Sequence, residues 1–269
     1  MAGINSLGGI NNYSRLFGNT DNKKKDSISQ LWSSYSNFQS NATSSIAGLT
    51  EVNANLKAVL SSYDDTEAEF RSRMTETLDD LSKSAAKIKD YNFSVETEGA
   101  VTTTTETDKD GNVTKTTTYS KELQAAVDTV KEFVSNYNDT IKFFGDHRNV
   151  SKRIDQMANT FSDTTYRASL YDSIGLTTNS DGSQSINEAK LVKTILNAPN
   201  KISSVLGKGG LAGKTESHIS FANSQADKLF PTVDEMLGDQ IETASIYTGK
   251  AYRKMAAYSN LGNLINQML

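Results

Sequence analysis

The sequence predicts a mainly α-helical protein: a long antiparallel helical bundle or coiled coil with a small protruding β-hairpin. Three observations predict this class. Proline occurs only at Pro199 and Pro231, apolar residues recur every seven residues over long segments, and one segment changes to a two-residue period. Proline removes a backbone N–H and clashes with the preceding turn, so its scarcity permits long helices. A hydrophobic fraction of 36% is low for a compact globule but suits narrow apolar stripes on helices.

A long helix is predicted over 27–91. Residues 1–26, before it, are rich in Gly and Asn without sustained periodicity, and we interpret them as a flexible export or assembly segment. The helix carries an a/d stripe typical of a coiled-coil seam, which Asn53 and Glu67 interrupt. The stripe combines two series of seven-residue spacing: Leu49, Leu56, Tyr63 and Phe70, and Leu60, Met74, Leu81 and Ile88. Such a stripe needs partner helices from this chain or another.

Residues 92–120 predict a β-hairpin insert. The segment is full of Val and Thr, which favour pleated strands. Asp110, Gly111 and Asn112 at its centre form a turn signal, because glycine tolerates positive φ. The threonine-rich faces are polar, so we expect the hairpin to be a surface module with little core of its own.

The remaining chain, 121–269, is predicted to be helical around a compact irregular unit. A heptad seam begins at Lys121, and Gly145 is expected to end it. The seam comprises Leu123, Val127, Val130, Val134, Tyr137, Ile141 and Phe144. A third helix is expected from Val150 to Tyr171. A short helix follows with Ser185 predicted as N-cap and Glu188 completing a capping box. Helix is expected again from about Thr215, with a break or kink near Pro231 and Gly238.

Composition excludes several classes of protein. The net charge is −4 with both signs interspersed, so we expect no nucleic-acid partner. There is no cysteine, which excludes disulfides and thiol chemistry. No apolar run approaches the roughly 20 residues that a membrane span needs, so no membrane insertion is expected. The first residues lack the features of a cleaved secretory signal, and secretion would need another export route.

The strongest metal candidate is a calcium-loop-like segment, TTNSDGSQSINE, at 177–188. Asn179, Asp181 and Glu188 occupy positions three, five and twelve of an EF-hand loop, with Gly182 at position six. Thr177 stands at the first position, where a carboxylate is needed. We therefore favour a glycine turn followed by a capped helix, and we predict no metal site.

A second candidate, GKGGLAGKT at 207–215, approaches the P-loop pattern but places Lys208 where the first glycine belongs. The alternative is a glycine-rich loop between helices. The two histidines, His147 and His218, lie far apart in sequence, and a surface or loop role is expected for each. No nucleophile, base and orienting group can be assigned, so we predict a protein that is not an enzyme and needs no cofactor.

The amphipathic helices themselves are the main functional candidates. Apolar residues near the ends of the chain are the hardest to bury within one chain, and exposed apolar stripes mark assembly surfaces. The predicted assembly interface comprises Leu49, Leu56, Leu60, Phe70, Leu261, Leu264, Ile265 and Met268.

One long ordered pattern resembles a known family. EFVSNYNDTIKFFGDHRNV is followed by YDSIGLTTNSDGSQSINEAKLVKTILNAPNKISSVLGKGGLAGK. Together they resemble the C-terminal region of the bacterial flagellar filament cap protein (hook-associated protein two) over roughly 123–269. The matching residues are Tyr137, Asn138, Ile174, Gly175, Asp181, Gly182, Ile186, Leu191, Pro199, Val205, Gly210, Leu211 and Ala212.

The resemblance implies a secreted, extracellular flagellar protein, exported through the flagellar type III channel without a cleaved signal. It implies a helical leg that contacts the filament tip and helps flagellin to insert. The implied partners are flagellin, hook–filament junction proteins, further copies in a homo-oligomer, and a cytoplasmic export chaperone. The chain departs from the family in having only the 92–120 hairpin in place of large β-rich domains.

Two other functions are open at this point. Flagellins also combine helical ends with a variable β insert, so a flagellin-like filament subunit or flagellar surface adhesin is the first alternative. A ligand-binding or nucleotide-using protein built on 177–188 or 207–215 is the second.

Overall fold

The computed structural model describes residues 31, 49–107, 113–233 and 235, and these are mainly α-helical. They fall into two compact units: one contains the residues up to Arg73 and those from Lys228, and the other runs from Met74 to Asp227. In chain order, the elements are α1 (Leu49–Lys89), β1 (Val101–Thr107), β2 (Val113–Tyr119), α2 (Lys121–His147), α3 (Lys152–Ser162), a 3₁₀ turn (Thr165–Arg167), α4 (Ala168–Asp172), β3 (Leu176–Thr178), β4 (Gln184–Ile186), α5 (Glu188–Asn197), α6 (Pro199–Leu206) and α7 (Leu211–Leu229).

Helix α1 buries the apolar stripe that the sequence predicts. Its described stripe residues are Leu60, Tyr63, Phe70, Met74, Leu81 and Ile88, and all are buried. At the interruption, Thr66 rather than Glu67 takes the buried position. Glu67 instead accepts hydrogen bonds from Arg71 one turn later. Residues 1–26 lie outside the described residues. So does the predicted helix start at 27, and of residues 27–48 the structure describes only Leu31, which is helical and buried.

The smaller unit has an aromatic contact between α1 and the segment that follows α7. The rings of Tyr63 and Phe70 lie 5.6 and 5.5 Å from that of Phe230. The Tyr63 hydroxyl donates a 2.8 Å hydrogen bond to the carbonyl oxygen of Pro231. Helix α7 ends at Leu229, just before this proline, as predicted. Gly238 lies outside the described residues.

In the larger unit, α1 and α2 run antiparallel. Lys87 of α1 forms an ion pair with Glu132, and Asn136 donates a hydrogen bond to the carbonyl oxygen of Asp80. Residues later in α1 therefore meet residues earlier in α2. The antiparallel direction agrees with the predicted bundle, whereas the coiled-coil geometry stays a prediction.

Helix α2 buries its whole predicted seam and more. The buried residues of α2 are Leu123, Ala126, Val127, Thr129, Val130, Phe133, Val134, Tyr137, Thr140, Ile141, Phe143, Phe144 and His147. This stripe is wider than the two positions per heptad of a coiled-coil seam, and it suits a helix that packs on several neighbours. The expected end at Gly145 is wrong, since α2 continues to His147 and Arg148 is its C-cap.

The predicted third helix is interrupted. Helix α3 begins after Ser151, whose hydroxyl accepts a hydrogen bond from the Ile154 N–H, and ends at Ser162. Asp163 has a ψ of 65°, which is not helical. The chain then makes the 3₁₀ turn and the short helix α4, so the single helix expected from Val150 to Tyr171 is not formed.

Two antiparallel hairpins are present among the described residues. The predicted one pairs β1 with β2 from Val101↔Tyr119 to Thr107↔Val113, and its turn at 108–112 lies outside the described residues. Residues 92–100 precede it without strand structure. The second pairs β3 with β4 from Leu176↔Ile186 to Thr178↔Gln184, and the sequence did not predict it.

The compact unit after β4 consists of two short helices and a glycine-rich turn. The N-cap of α5 is Asn187, whose side chain accepts a hydrogen bond from the Lys190 N–H. The predicted N-cap, Ser185, is wrong because this residue is paired with Thr177 in the β3–β4 hairpin. Helix α6 begins at Pro199, and α7 starts at Leu211, earlier than the predicted Thr215.

Candidate functional site

The β3–β4 hairpin is fixed to α2 by one asparagine side chain. The Asn138 amide donates a 2.8 Å hydrogen bond to the Gln184 carbonyl oxygen, and the Gln184 N–H donates a 2.8 Å bond back to Asn138 Oδ1. Asn138 thus pairs with the backbone of β4 as a neighbouring strand would. Sequence reasoning placed Asn138 within the family pattern but gave it no role. The one signal for Asn138 in the sequence is that it directly follows the seam residue Tyr137.

Gln184 itself is buried, with 2% of its surface exposed. Its side-chain amide donates to the Gly182 carbonyl oxygen, and its Oε1 accepts from the Thr178 hydroxyl. A buried amide is tolerated only when such partners are present. This position is usually apolar in an EF-hand loop, so Gln184 serves packing of the hairpin.

Two glycines are required where this hairpin meets the helices. Gly182 has a φ of +86°, and a Cβ there would lie 2.3 Å from the Ser162 carbonyl oxygen. Gly175 has a φ of +94°, and a Cβ there would lie 2.6 Å from the Leu191 backbone nitrogen. Both positions combine a left-handed backbone with close approach to a helix, and only glycine permits both.

An aromatic cluster packs α2 against α3 next to this junction. The Tyr137 hydroxyl donates a 2.5 Å hydrogen bond to the Phe161 carbonyl oxygen. The Phe161 ring stacks on Phe144, with centroids 5.2 Å apart and planes within 9°. Burial raises the pKa of Tyr137 far above its usual range.

The calcium candidate residues are occupied by other protein groups. Asp181 Oδ1 accepts hydrogen bonds from the hydroxyl and N–H of Ser183, and these bonds lower the pKa of the Asp181 carboxyl. The Asn179 amide donates to the Ser183 and Ser185 hydroxyls. The segment is therefore a turn that its own side chains stabilise.

Glu188, the last of the candidate calcium ligands, forms an ion pair with Lys131. Its carboxylate lies 2.6 Å from Lys131 Nζ, and Lys131 lowers the pKa of this carboxyl. The carboxylate also accepts a hydrogen bond from the Tyr119 phenol. No group of three or more Asp, Glu or His residues suited to a metal occurs in the described ranges. The ion-free interpretation of 177–188 fits these contacts better.

In the glycine-rich turn at 207–213, the N–H groups of three glycines bond to nearby backbone carbonyl oxygens. The Gly207 N–H bonds to Ser203, those of Gly210 and Gly213 bond to the Gly207 carbonyl oxygen, and that of Lys214 bonds to Gly210. A P-loop instead presents free N–H groups to a phosphate. The turn connects α6 with α7, and a Cβ at Gly210 would meet the Val205 carbonyl oxygen.

Both histidines lie in helices rather than loops, and the expected surface role is wrong for His147, which is buried, whereas His218 is half-buried. His147 is buried in α2, with Nδ1 2.6 Å from the Phe143 carbonyl oxygen. His218 in α7 points its ring at Phe161, with centroids 5.6 Å apart and planes at 84°. Its Nδ1 atom is buried without a hydrogen-bond partner. Burial, with a smaller effect of Lys214, lowers the pKa of His218, while Asp163 opposes that shift.

A polar cleft of about 790 Å³ lies beside the hairpin turn, among α2, α3 and residues 180–183. Asn138, Asp139, Arg148, Asn159 and Ser180 contribute to its walls. The Asp146 and Lys142 side chains within it form an ion pair with each other. Both charge signs line the cleft, so it has no single-sign field to select an ion.

The predicted assembly residues divide into three groups. Leu60 and Phe70 are 4% and 2% exposed, so other residues of the chain cover them in this conformation. Leu49 and Leu56 lie in α1. Leu261, Leu264, Ile265 and Met268 lie outside the described residues, and the interface stays a prediction.

No protein-family model, curated protein or solved structure matches this chain. Within the described part of the chain, no helix combines the length and apolar character that crossing a membrane requires.

Proposed function

We propose that this chain is a structural component of the bacterial flagellum, a cap-like protein that acts at the filament tip and assists flagellin assembly through helical packing. In this proposal it is secreted and extracellular, and it is not an enzyme. It associates with flagellin, hook–filament junction proteins and further copies of itself, and a cytoplasmic chaperone accompanies its export.

The observation that carries the proposal is the arrangement of the residues in the family-like pattern. Asn138 holds β4, Gly175 lies against α5, and Gly182 lies against the end of α3. Ile174, Leu191 and Val205 of the same pattern are buried. The pattern therefore describes one packed unit, as a shared helical leg would require, and its polar groups bond to one another.

A second candidate is a flagellin-like filament subunit or flagellar surface adhesin. The β1–β2 hairpin favours it, because residues 101–105 and 115–118 expose their side chains. Such a ribbon resembles the variable β insert on an outer surface. The two candidates share helical packing and differ in where along the flagellum the protein lies.

Immunogold labelling of intact cells separates these functions. Gold confined to filament tips or to the hook–filament junction is the expected result, together with shortened or absent filaments in a deletion strain. Gold along whole filaments would favour the filament subunit, and dense normal filaments in the deletion strain would refute the capping role.

The ligand-binding alternative needs a separate test. Calorimetric titration with calcium and with ATP is expected to give no heat, because Glu188 is paired with Lys131 and the N–H groups of Gly207, Gly210 and Gly213 bond to nearby carbonyl oxygens. Saturable heat with calcium that Asp181→Asn abolishes would instead establish a site in the 177–188 turn.

A further inference from the structure

The β1–β2 hairpin lacks a third strand on either edge among the described residues. Residues 101–105 and 115–118 are also exposed on both faces of the ribbon. A two-stranded hairpin is marginally stable in water unless further strands or a packing surface cover it. Among the described residues, the hairpin is anchored at its root, where Ala100 is buried and the Tyr119 phenol bonds to Glu188. Beyond its root, the described part of the ribbon therefore has unpaired edges and exposed faces, and it could accept a further strand.

The first five residues of the β1 edge, Val101 to Thr105, have none of the features that usually prevent strand pairing. Natural edge strands are protected by charged residues, proline or bulges. The first five residues of β1 are Val101 followed by threonines, and the one-to-one register of the hairpin contains no bulge. The β2 edge differs, because it carries Lys115 near its middle, opposite Thr105.

The root of the hairpin determines which β1 groups face outward. The Ser120 N–H donates to the carbonyl oxygen of Ala100, and these two residues continue the register one step past the Val101↔Tyr119 pair. Hydrogen-bonded and non-hydrogen-bonded pairs alternate along an antiparallel ladder. Thr102 and Thr104 therefore direct their N–H and C=O groups toward β2. Val101, Thr103 and Thr105 direct theirs toward the open edge.

We propose that β1 pairs antiparallel with β1 of a second copy of this chain, about a twofold axis at Thr103. In this register Thr103 faces Thr103 of the second copy, and Val101 faces its Thr105. These are the residues whose backbone groups face outward, so each facing pair exchanges two N–H···O=C bonds. The product is a four-stranded sheet in the order β2–β1–β1–β2.

The second copy is favoured over an unrelated strand because β1 is complementary to itself. Thr102 faces Thr104 of the second copy, and threonine pairs across strands are favourable. Glu106, the charged residue of β1, falls beyond the paired stretch and opposite Ala100, so the two acidic residues do not face each other. The proposal gives a surface to the self-association included in the proposed function, but its test needs no flagellum.

The test compares two proline variants of the full chain. Thr103→Pro removes the outward N–H at the centre of the proposed interface and leaves the β1–β2 ladder bonds intact. Thr117→Pro is the matched control, because Thr117 is the register partner of Thr103 and its N–H faces the other, β2 edge. Sedimentation equilibrium over a concentration series measures the dimer Kd of each protein, and thermal unfolding checks that both variants fold.

Wild type and Thr117→Pro are expected to form the same weak dimer, whereas Thr103→Pro raises the Kd at least about tenfold. In the wild type, the Thr103 amide should also become protected from hydrogen exchange as concentration increases. A monomeric wild type, or equal Kd values for the two variants, would overturn the proposal. If Thr103→Pro fails to fold, Thr105→Lys replaces it, and an unchanged Kd in that variant would also overturn it. Since neither readout involves filaments, failure here is distinguishable from failure of the proposed flagellar function.

Discussion

The two hairpins of the larger unit differ in a way that strand length does not explain. The β1–β2 strands have seven residues each, yet their described side chains are mostly exposed. The β3–β4 strands have three residues each, yet β4 contributes the buried Gln184 and is held by Asn138. Strand propensity therefore creates a ribbon in one case, and contacts with helices distant in sequence create it in the other. Substitutions should affect the two hairpins unequally.

The largest expected effect comes from Gly182→Ala. The substitution forces an alanine into a left-handed backbone and places its Cβ against the Ser162 carbonyl oxygen, so we expect a loss of about 3 kcal/mol in the free energy of unfolding. Urea unfolding measures the loss.

The control for that substitution is Gly99→Ala, just before β1. Gly99 also has a positive φ, +69°, but nothing lies within 4 Å of a Cβ there. We expect a loss of about 1 kcal/mol, from the backbone alone. Equal losses in the two variants would mean that β3–β4 is no more tightly integrated than the root of β1–β2.

A smaller effect is expected for Asn138→Ala. This change leaves the N–H and C=O of the buried Gln184 without their partners, so the free energy of unfolding should fall by about 2 kcal/mol. Asn136→Ala, on the same helix, removes only a 3.1 Å bond to Asp80 and should cost about 0.5 kcal/mol. Hydrogen exchange should accelerate at β3–β4 in the first variant and stay unchanged at β1–β2. Equal losses in the two variants would show that the Asn138 side chain does not stabilise the β3–β4 hairpin.

The smallest effect is a pH dependence from His218. Burial lowers the pKa of its imidazole below the ordinary 6.5, so the unfolded chain binds a proton more readily than the folded one. The free energy of unfolding is therefore at its full value above the ordinary histidine pKa of 6.5, and it decreases as the pH falls below that pKa. His218→Gln should flatten that decrease, since Gln does not titrate. In mild acid, hydrogen exchange should become faster near Phe161, which His218 contacts, but not in the β1–β2 hairpin. Identical pH profiles for the two proteins would contradict the role of His218.

Periodicity allowed the sequence to predict the elements that are periodic along the chain. The stripe from Leu60 to Ile88 and the seam from Leu123 to Phe144 are buried as expected, and the threonine-rich ribbon is a hairpin. These features follow from side-chain spacing and local propensity, which need no knowledge of neighbours. The calcium and phosphate patterns are weak predictors of a site, because sequence spacing does not show which groups lie nearby in space. It does not show, for example, that Glu188 forms an ion pair with Lys131.

The sequence by itself determined the helical class, the two apolar stripes and the exposed β1–β2 ribbon. Only the tertiary structure decided the β3–β4 hairpin, the shift of the N-cap from Ser185 to Asn187, and the burial of His147. For the hairpin the deciding contact is not local, because Asn138 and Gln184 are 46 residues apart. A three-residue strand has too little local signal to form by propensity, so it forms because a distant asparagine and two close-packed glycines fix its backbone.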